Sequence, residues 1–593
     1  GSEAEGGEPL ELSPVGAALA MHASLAEDPL DRKAAALAAS AIDYHARENK
    51  SFWWEHFSRL SEPIEDWADT RDVLVVERAR SEVAENWFIP ERARVRRRHL
   101  RLRGELAPGS NPRADTEAYL LYDYPAPYTT RGIAPGARGY RQVKILAADA
   151  DGVTVMETLP DDTEPFDTFP VAMTPGPPPR PGSQPGAIEE WGEALARSFD
   201  EGVILADPVV DIIRRMPPRR LGGRALVDPE SPEALAAGGG DPDARTIGAV
   251  IATLLQLDRS ALAVQGPPGT GKTYLAARVI RALVEQHGWR VGVVAQSHRV
   301  VENVLDGVVA AGLDPAQVGK AAQRGASLEY PHAFTVLPPN GHLRFVAGHR
   351  AAGRGCVIGG TAWDLSNPAR VDRRSLDLLV IDEAGQFSLA PTIAASVSAE
   401  RLLLLGDPQQ LPQVSQGAHP EPVDASALGW LLGEHETIPA GRGYFLAETR
   451  RMRPELAEVV SELAYEGRLT AHPSAALRKV EGVGAPGLHW HPVRHVGNST
   501  SSSEEAAEVV RIAQAAMRAR VLAPGEGARQ VSQADLIVVA AYNAQVECLT
   551  GALTAAGLGE VRVGTVDKFQ GQEAVIAIVS LAASSADDVP RGL

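Results

Sequence analysis

The 593-residue chain has only two cysteines, Cys356 and Cys548, far apart in sequence. Two distant thiols cannot build a disulfide framework or a four-ligand zinc site. The scarcity fits a reducing compartment, so a cytoplasmic location is expected. Long apolar runs are missing too, and none approaches the roughly 20 residues a membrane helix needs. The N-terminus, GSEAEGGEPLELSP, lacks the charged-then-apolar order of a secretory signal. It also lacks an initiator methionine, and Gly1-Ser2 reads as a cloning scar, so the chain is expected to be cut from a longer protein. No internal repeat is visible. Positive charge is in deficit, with 58 Lys and Arg against 76 Asp and Glu and a formal charge of −18. An acidic far field disfavours phosphate ligands, because nucleic-acid binding is driven by Lys and Arg releasing counterions. A groove can still be locally basic on an acidic body. Any phosphate site must therefore be sought in local segments.

What is present reads as a globular α/β protein, 44% hydrophobic and too long for one core. Residues 1–68 form a helical stretch in which Leu37, Ala41, Tyr44, Trp53, Phe57 and Leu60 recur at helical spacing. Residues 69–173 change to short β-like runs such as DVLVVER, AYLLYDY and GVTVMET, as in a small barrel or sandwich. Residues 174–244 hold a stiff proline-rich connector, TPGPPPRPGSQPG, and a helical segment, AIEEWGEALARSFDEG. From 245 apolar strands alternate with helices, the pattern of parallel α/β layers, divided into units 245–430 and 431–593.

ALAVQGPPGTGKTYLAARVI satisfies the P-loop pattern, running Gly266, Pro267, Pro268, Gly269, Thr270, Gly271, Lys272, Thr273. An apolar run enters it and an amphipathic helix leaves it. Glycines let backbone N–H groups turn onto phosphate oxygens, and the helix N-terminus adds its positive end. Lys272 is expected on the β- and γ-phosphates and Thr273 on Mg²⁺. LDLLVIDEAGQ supplies an acidic partner: Asp382 for Mg²⁺, through water, and Glu383 to deprotonate the attacking water. ATP and Mg²⁺ are the cofactors these two segments imply.

AQSHRVVENVL (295–305), VIGGTAWDLS (357–366), LLLLGDPQQLPQV (402–414), AAYNAQVECL (540–549) and VGTVDKFQGQEAVIAIVS (563–580) follow in order. In order and spacing they resemble motifs of superfamily 1 helicases, the first three Ia, Ic and III and the last V, with Asp382–Gln386 as motif II. The branch looks like 1B, which includes the nonsense-mediated-decay helicase and the nuclease–helicase of Okazaki-fragment maturation. DYHARENKSFWWEHF and ADDVPRGL further resemble bacterial fusions of a RecB-like nuclease to such a helicase. The resemblance implies two RecA-like parallel-sheet domains preceded by a helical stalk and a small β-barrel. It implies that Gln410 senses the γ-phosphate. Ser297, His298, Asn303 and Thr361 would hold strand phosphates on the first unit, and Asn543 and Thr565 on the second. Hydroxyl and amide groups suit that task, binding backbone without reading sequence. Gly571 and Glu573 would belong to the nucleotide site, Glu573 accepting a hydrogen bond from the ribose. For each residue alone, capping a strand or helix end is an equally good reading.

LAETRRMRPELA, 446–457, sets Arg450, Arg451 and Arg453 ahead of Pro454. It falls where this family places motif IV, on the second unit facing the nucleotide held by the first, with Arg451 matching the γ-phosphate arginine. A guanidinium is always charged and its fork matches phosphate oxygens. Arg453 reads as a solvated helix start. Three departures stand out. Arg450 occupies the place of an aromatic that stacks on adenine, and no adenine-reading glutamine precedes the P-loop, where Thr246 lies nearest. Motif VI is absent; the parent is expected to contain it, and this chain to hydrolyse ATP poorly.

ERARVRRRHLRLRG, 91–104, is the most basic segment. Its alternation flips phase around Arg97–His99, which predicts a strand with a bulge, and one arginine face would suit phosphate. Asp123, Gln142 and Lys144 superficially resemble a RecB-like nuclease site, but a barrel accounts for them better; a nuclease is expected upstream of Gly1. The reading is an ATP-dependent helicase or translocase on single-stranded nucleic acid, by resemblance DNA and 5′→3′, a monomer without membrane association. The alternative is an ATP-gated nucleic-acid clamp that regulates an attached nuclease without unwinding.

Overall fold

The computed structural model describes residues 13–585 apart from 69, 92–93, 107–109, 111, 150–151, 162, 323–331, 412–414, 416, 524–526 and 570. ADDVPRGL, Arg92 and the end of the motif III segment thus lie outside the described residues. Three helices open the fold: α1 (Pro14–Leu25), α2 (Pro29–Ile42) and α3 (Tyr44–Ser61). Ser13 and Asp28 cap the first two by accepting from the Gly16 and Leu30 N–H groups, and a proline begins each. Leu37, Ala41, Tyr44 and Leu60 are buried, but Phe57 is 47% exposed and its neighbour Trp54 67%. Periodicity defines a face without saying whether anything covers it. The far half of α3 reaches the barrel, where His56 packs against Tyr119 and Tyr140.

Seven antiparallel strands follow: β1 (Leu74–Val76), β2 (Glu82–Phe88), β3 (Arg97–Leu106), β4 (Glu117–Tyr122), β5 (Gly139–Asp149), β6 (Gly152–Thr158) and β7 (Ala172–Pro175). Six close a barrel in the order β1-β7-β4-β5-β6-β3, with β3 pairing back to β1 and β2 appended to β3. The bulge lies not in β3, which runs in unbroken register against β6, but in β2 opposite Arg97–Leu100. Of the expected arginine face, Arg94 and Arg96 are exposed ahead of β3, while the strand itself arranges its arginines differently. β3 turns Arg98 inward with Leu100 and Leu102, fully buried. Arg98 is ion-paired with Glu157 at 2.7 Å and donates to Tyr122 Oη and to the Phe166 and Thr168 carbonyls. On the outer face Arg101 pairs with Glu82 at 2.9 Å and Arg103 with Asp149. Acids on β2 and β5 thus stand opposite the strand's outward arginines, in partly exposed pairs. Asp123 pairs with Arg138 and Lys144 with Asp115, so neither joins a nuclease-like cluster.

The helix α4 (Gln184–Asp200) returns the chain to α1 and α2 and leads into an eight-stranded, wholly parallel sheet. Its strands are β8 (Ala261–Gln265), β9 (Arg290–Val294), β10 (Val318–Ala321), β11 (Thr335–Leu337), β12 (Cys356–Gly360), β13 (Leu378–Ile381), β14 (Leu402–Gly406) and β15 (Gly443–Phe445). They lie in the order β11-β10-β12-β9-β13-β14-β8-β15. Both faces are covered. Ala263, Ile381 and Leu404 point to the core shared with Leu37 of α2 and Ile188 of α4, while Val264, Val380 and Leu405 meet the helices around Leu275 and Val304. This double burial is why the strands read as near-continuous apolar runs. Gly443–Phe445, assigned to the second unit on sequence, is the edge strand of the first sheet beside β8.

The chain then forms a two-stranded parallel pair, β16 (Glu448–Thr449) and β17 (Thr470–Ala471), with the helix Pro454–Ala464 between them. The second unit holds an antiparallel trio, β18 (Lys479–Glu481), β19 (Arg520–Leu522) and β20 (Arg529–Gln530). Its parallel sheet has β21 (Leu536–Ala540) between β22 (Arg562–Thr565) and β23 (Ile576–Ser580). No helix among the described residues is long and apolar enough to cross a membrane.

Candidate active site

The P-loop joins β8 to the helix Lys272–His287 at the carboxyl end of the first sheet. Gly269 and Gly271 take left-handed conformations, φ 78° and 86°, which turns backbone N–H groups toward one point. Thr270 Oγ1 donates to the Pro267 carbonyl, and Lys272 Nζ folds back on the Gly266 carbonyl at 2.6 Å. Thr273 is exposed at the helix start.

Asp382 ends β13, two strands from β8, and is 4% exposed. Burial pushes its carboxyl up to about 7, Glu383 adds to the shift, and Lys272 opposes it. Glu383 has a positive φ of 55°, uncommon for a residue with a side chain, so the chain turns sharply off the strand. Ala384 N–H donates to the Leu405 carbonyl of β14 at 2.7 Å, fixing this turn against Asp407 and Gln410. Gln410 Nε2 is 3.5 Å from Asp407 Oδ2, which accepts a shorter bond, 2.6 Å, from Tyr465 Oη. Burial, with Asp407 beside it, pushes the Tyr465 hydroxyl's pKa up.

The arginine segment lies on the P-loop. Arg450 N–H donates to the Gly269 carbonyl at 2.9 Å, and Thr449 Oγ1 donates to the Pro268 carbonyl at 2.8 Å. A Cβ on Gly269 would stand 2.2 Å from Arg451 Cβ. Arg451 Nε is 2.7 Å from Glu573 Oε2, an ion pair in which the Nε–H is not aimed at the carboxylate. The Arg450 side chain is exposed, and Arg453 precedes the helix Pro454–Ala464, not solvated as expected but donating to the Ala476 carbonyl and paired with Glu455. Because β15 and β16 precede it directly, this segment is moored to the first sheet instead of projecting from the second. Thr449 and Tyr465 are the contributors that sequence reasoning missed. A threonine beside three arginines and a tyrosine ending a helix carry no local signal of whom they bond.

The other assigned residues fall into two groups. Ser297 caps the helix His298–Ala310 after β9, accepting from Val300 N–H. Thr361 caps the short helix after β12, where Asp364 Oδ2 accepts both its N–H and its hydroxyl. The strands are neighbours, Gly360 opposite Val294, so both caps share one edge. His298 stands there with a buried Nδ1 that has no partner among the described residues, and burial, with Lys320 adding, keeps its ring neutral. Asn303 is exposed further along its helix. On the second sheet Thr565 ends β22 opposite Ala540 of β21, and Asn543 begins the next helix, so these two are also brought together. Gly571 lies in an exposed turn before Glu573.

The donor set suits a magnesium nucleotide: a glycine loop with convergent N–H groups, a lysine, an exposed threonine hydroxyl, and a buried carboxyl whose nearby opposing charge is that lysine. Magnesium at such sites takes one or two protein oxygens and completes its shell with phosphates and water. The lack of any cluster of three or more metal-binding side chains among the described residues is therefore no obstacle.

Residues 248–427 and 432–589 each match a family model described as AAA domain. The chain is 28% identical over 235 residues to the mouse 5'-3' DNA helicase ZGRF1, covering 38% of this chain and 12% of that protein. It is 22% identical over 371 residues to the chicken DNA replication ATP-dependent helicase/nuclease DNA2, covering 61% and 35%. It is 26% identical over 384 residues to the fruit-fly regulator of nonsense transcripts 1 homolog, covering 56% and 31%. The chain thus spans about a third or less of the length of these relatives. An arterivirus nonstructural protein 10 (helicase) overlaps 81% of this chain and 72% of its own at 14% identity, with a TM-score of 0.32, a likeness on which nothing rests here. Two segments of AAA type, related in sequence to DNA helicases, carry between them every residue of the site just described.

Proposed function

We propose that the chain is the motor of an ATP- and Mg²⁺-dependent helicase or translocase of superfamily 1, moving 5′→3′ on single-stranded DNA beside a nuclease activity, with two RecA-like domains. One observation carries the reading: the loop that presents Lys272 is hydrogen-bonded to the segment that presents Arg451, with Asp382 and Glu383 beside it. Lys272, Thr273 and Asp382 would hold the magnesium nucleotide, which supplies a polarised γ-phosphoryl group when bound. Glu383 takes the proton of the attacking water on its carboxylate, and Arg451 stabilises negative charge on the phosphoryl oxygens. Gln410, tied to Asp407 and through it to Tyr465, reports phosphate loss to the arginine segment. Ser297, His298, Asn303 and Thr361, and Asn543 and Thr565, grip the strand on the two sheets. The names of the mouse and chicken relatives support DNA, the direction and the nuclease.

The test is ATP turnover with Mg²⁺ and single-stranded DNA, single-stranded RNA or neither, followed by strand displacement from duplexes with a 5′ or a 3′ tail. Turnover raised by single-stranded DNA and displacement from the 5′-tailed duplex are expected. Turnover indifferent to both nucleic acids rejects the proposal. Strand-stimulated turnover without displacement assigns the clamp instead.

A further inference from the structure

Trp363 lies two residues beyond Thr361, in the short helix Ala362–Leu365 at the carboxyl end of β12, and is 38% exposed. Its surroundings hold it in place. The Arg370 guanidinium sits over the ring, 4.4 Å from its centroid. Arg370 is ion-paired in turn with Asp364, the same carboxylate that accepts from Thr361. The ring edge meets the proline-rich connector: a Cβ on Gly182 (φ 62°) would stand 2.0 Å from indole Nε1, so the backbone passes there only as glycine. A cation and a backbone turn thus fix the indole, which stays part-exposed two residues beyond Thr361.

The hydroxyl groups of the edge that carries Ser297 and Thr361 can hold phosphates but cannot stack on a base, and the His298 ring is half-buried. A strand whose phosphates lie on this edge presents bases with bare π-faces, and an immobilised indole meets that need without reading sequence. We infer that Trp363 is a stacking platform for one base of the bound single strand, braced by Arg370 and by the close approach of Gly182. The inference rests on the strand path of the proposed function and adds a residue that grips bases to those that grip phosphates.

The test uses the full chain with a fluorescently labelled oligo-dT and an abasic oligonucleotide of equal length. Binding is followed by anisotropy for the wild type, Trp363→Leu and Trp363→Phe, with thermal melts of all three. Trp363→Leu should bind oligo-dT about fivefold or more weakly and the abasic strand as the wild type does, while Trp363→Phe keeps oligo-dT affinity within about twofold. An unchanged Leu variant, or equal losses on the two strands, overturns the inference. If the Leu variant melts below the assay temperature, the Phe variant decides, and a loss equal on both strands rejects stacking. A wild type that binds neither strand removes the strand-binding reading itself, an outcome visible before any variant is compared.

Discussion

Arg451 Nε stands 2.7 Å from Glu573 Oε2, linking the segment that rests on the P-loop to the turn after β22. The two side chains are 35% and 65% exposed, so the pair contributes at most about 1 kcal/mol. It yields readily to a stronger anion. A γ-phosphate offers one, with oxygens that match the guanidinium fork.

Arg451→Ala is therefore expected to weaken binding of a non-hydrolysable ATP analogue by about 10- to 100-fold, the worth of a charged hydrogen bond. ADP binding should change by less than about threefold, since ADP lacks the γ-phosphate. Titration with fluorescent nucleotides measures both. Equal losses for the two nucleotides would remove Arg451 from the γ-phosphate.

Lys272 and Glu383 should separate binding from chemistry. Lys272→Ala is expected to abolish nucleotide binding, because the only ammonium at the loop is lost. Glu383→Gln keeps the shape and should retain binding while turnover falls by about 10²-fold or more. Calorimetric titration beside a phosphate-release assay reads the two, and turnover surviving in Glu383→Gln would sink its assignment as base.

Close packing at Gly269 predicts a steric defect. In Gly269→Ala the new Cβ would meet Arg451 Cβ at 2.2 Å and Thr449 Oγ1 at 2.8 Å in a backbone of φ 78°, so the arginine segment must lift off the loop. Nucleotide affinity should fall more than tenfold. The gentler Thr449→Val removes the 2.8 Å bond to the Pro268 carbonyl and the oxygen that accepts from the Arg451 and Met452 N–H groups, and should cost about 1–3 kcal/mol in melting. If both variants bind nucleotide like the parent, the contact has no bearing on the site.

Asp382 sets a pH dependence. Its pKa is raised from 3.8 to about 7, so the folded chain holds a proton there that the unfolded chain has lost between these values. Stability from this group is full below about pH 4 and declines until pH passes 7. Mg²⁺ requires the carboxylate, so Mg²⁺-dependent nucleotide binding should strengthen as pH rises through about 7. Asp382→Asn should flatten that profile. A wild-type profile already flat between pH 6 and 8 would contradict the raised pKa.

His56 has the opposite sign. Burial among Phe52, Trp53, Tyr119 and Tyr140 lowers its pKa from 6.5 to about 4, and neither ring nitrogen has a partner among the described residues. The unfolded chain takes up a proton first, so stability is full above about pH 6.5 and is lost as pH falls toward 4. His56→Phe should melt higher than the parent at pH 5 and narrow the gap at pH 7.5. A gap independent of pH would show that the histidine does not titrate on unfolding.

Much of the candidate site was legible because it is written in short, contiguous patterns. The P-loop needs glycines at fixed offsets, and the strand before Asp382 is buried on both faces, so both stood out. Pairings across the chain did not. Nothing near Arg101 or Arg103 announces that Glu82 and Asp149 will pair with them. The three-residue strand Gly443–Phe445 is too short to show periodicity, and its place beside β8 follows from the tertiary fold. Phe57 matched a helical face yet stands 47% exposed.

That edge strand has a mechanical corollary. With Gly443–Phe445 hydrogen-bonded beside β8, the few residues that follow form a short tether, anchored on the same sheet that carries the P-loop. Were the second unit to swing away, Arg451 would stay behind and Glu573 would leave with it. A joint for the proposed motor would then lie beyond the helix Pro454–Ala464, and the contact to open would be the clasp between arginine and glutamate.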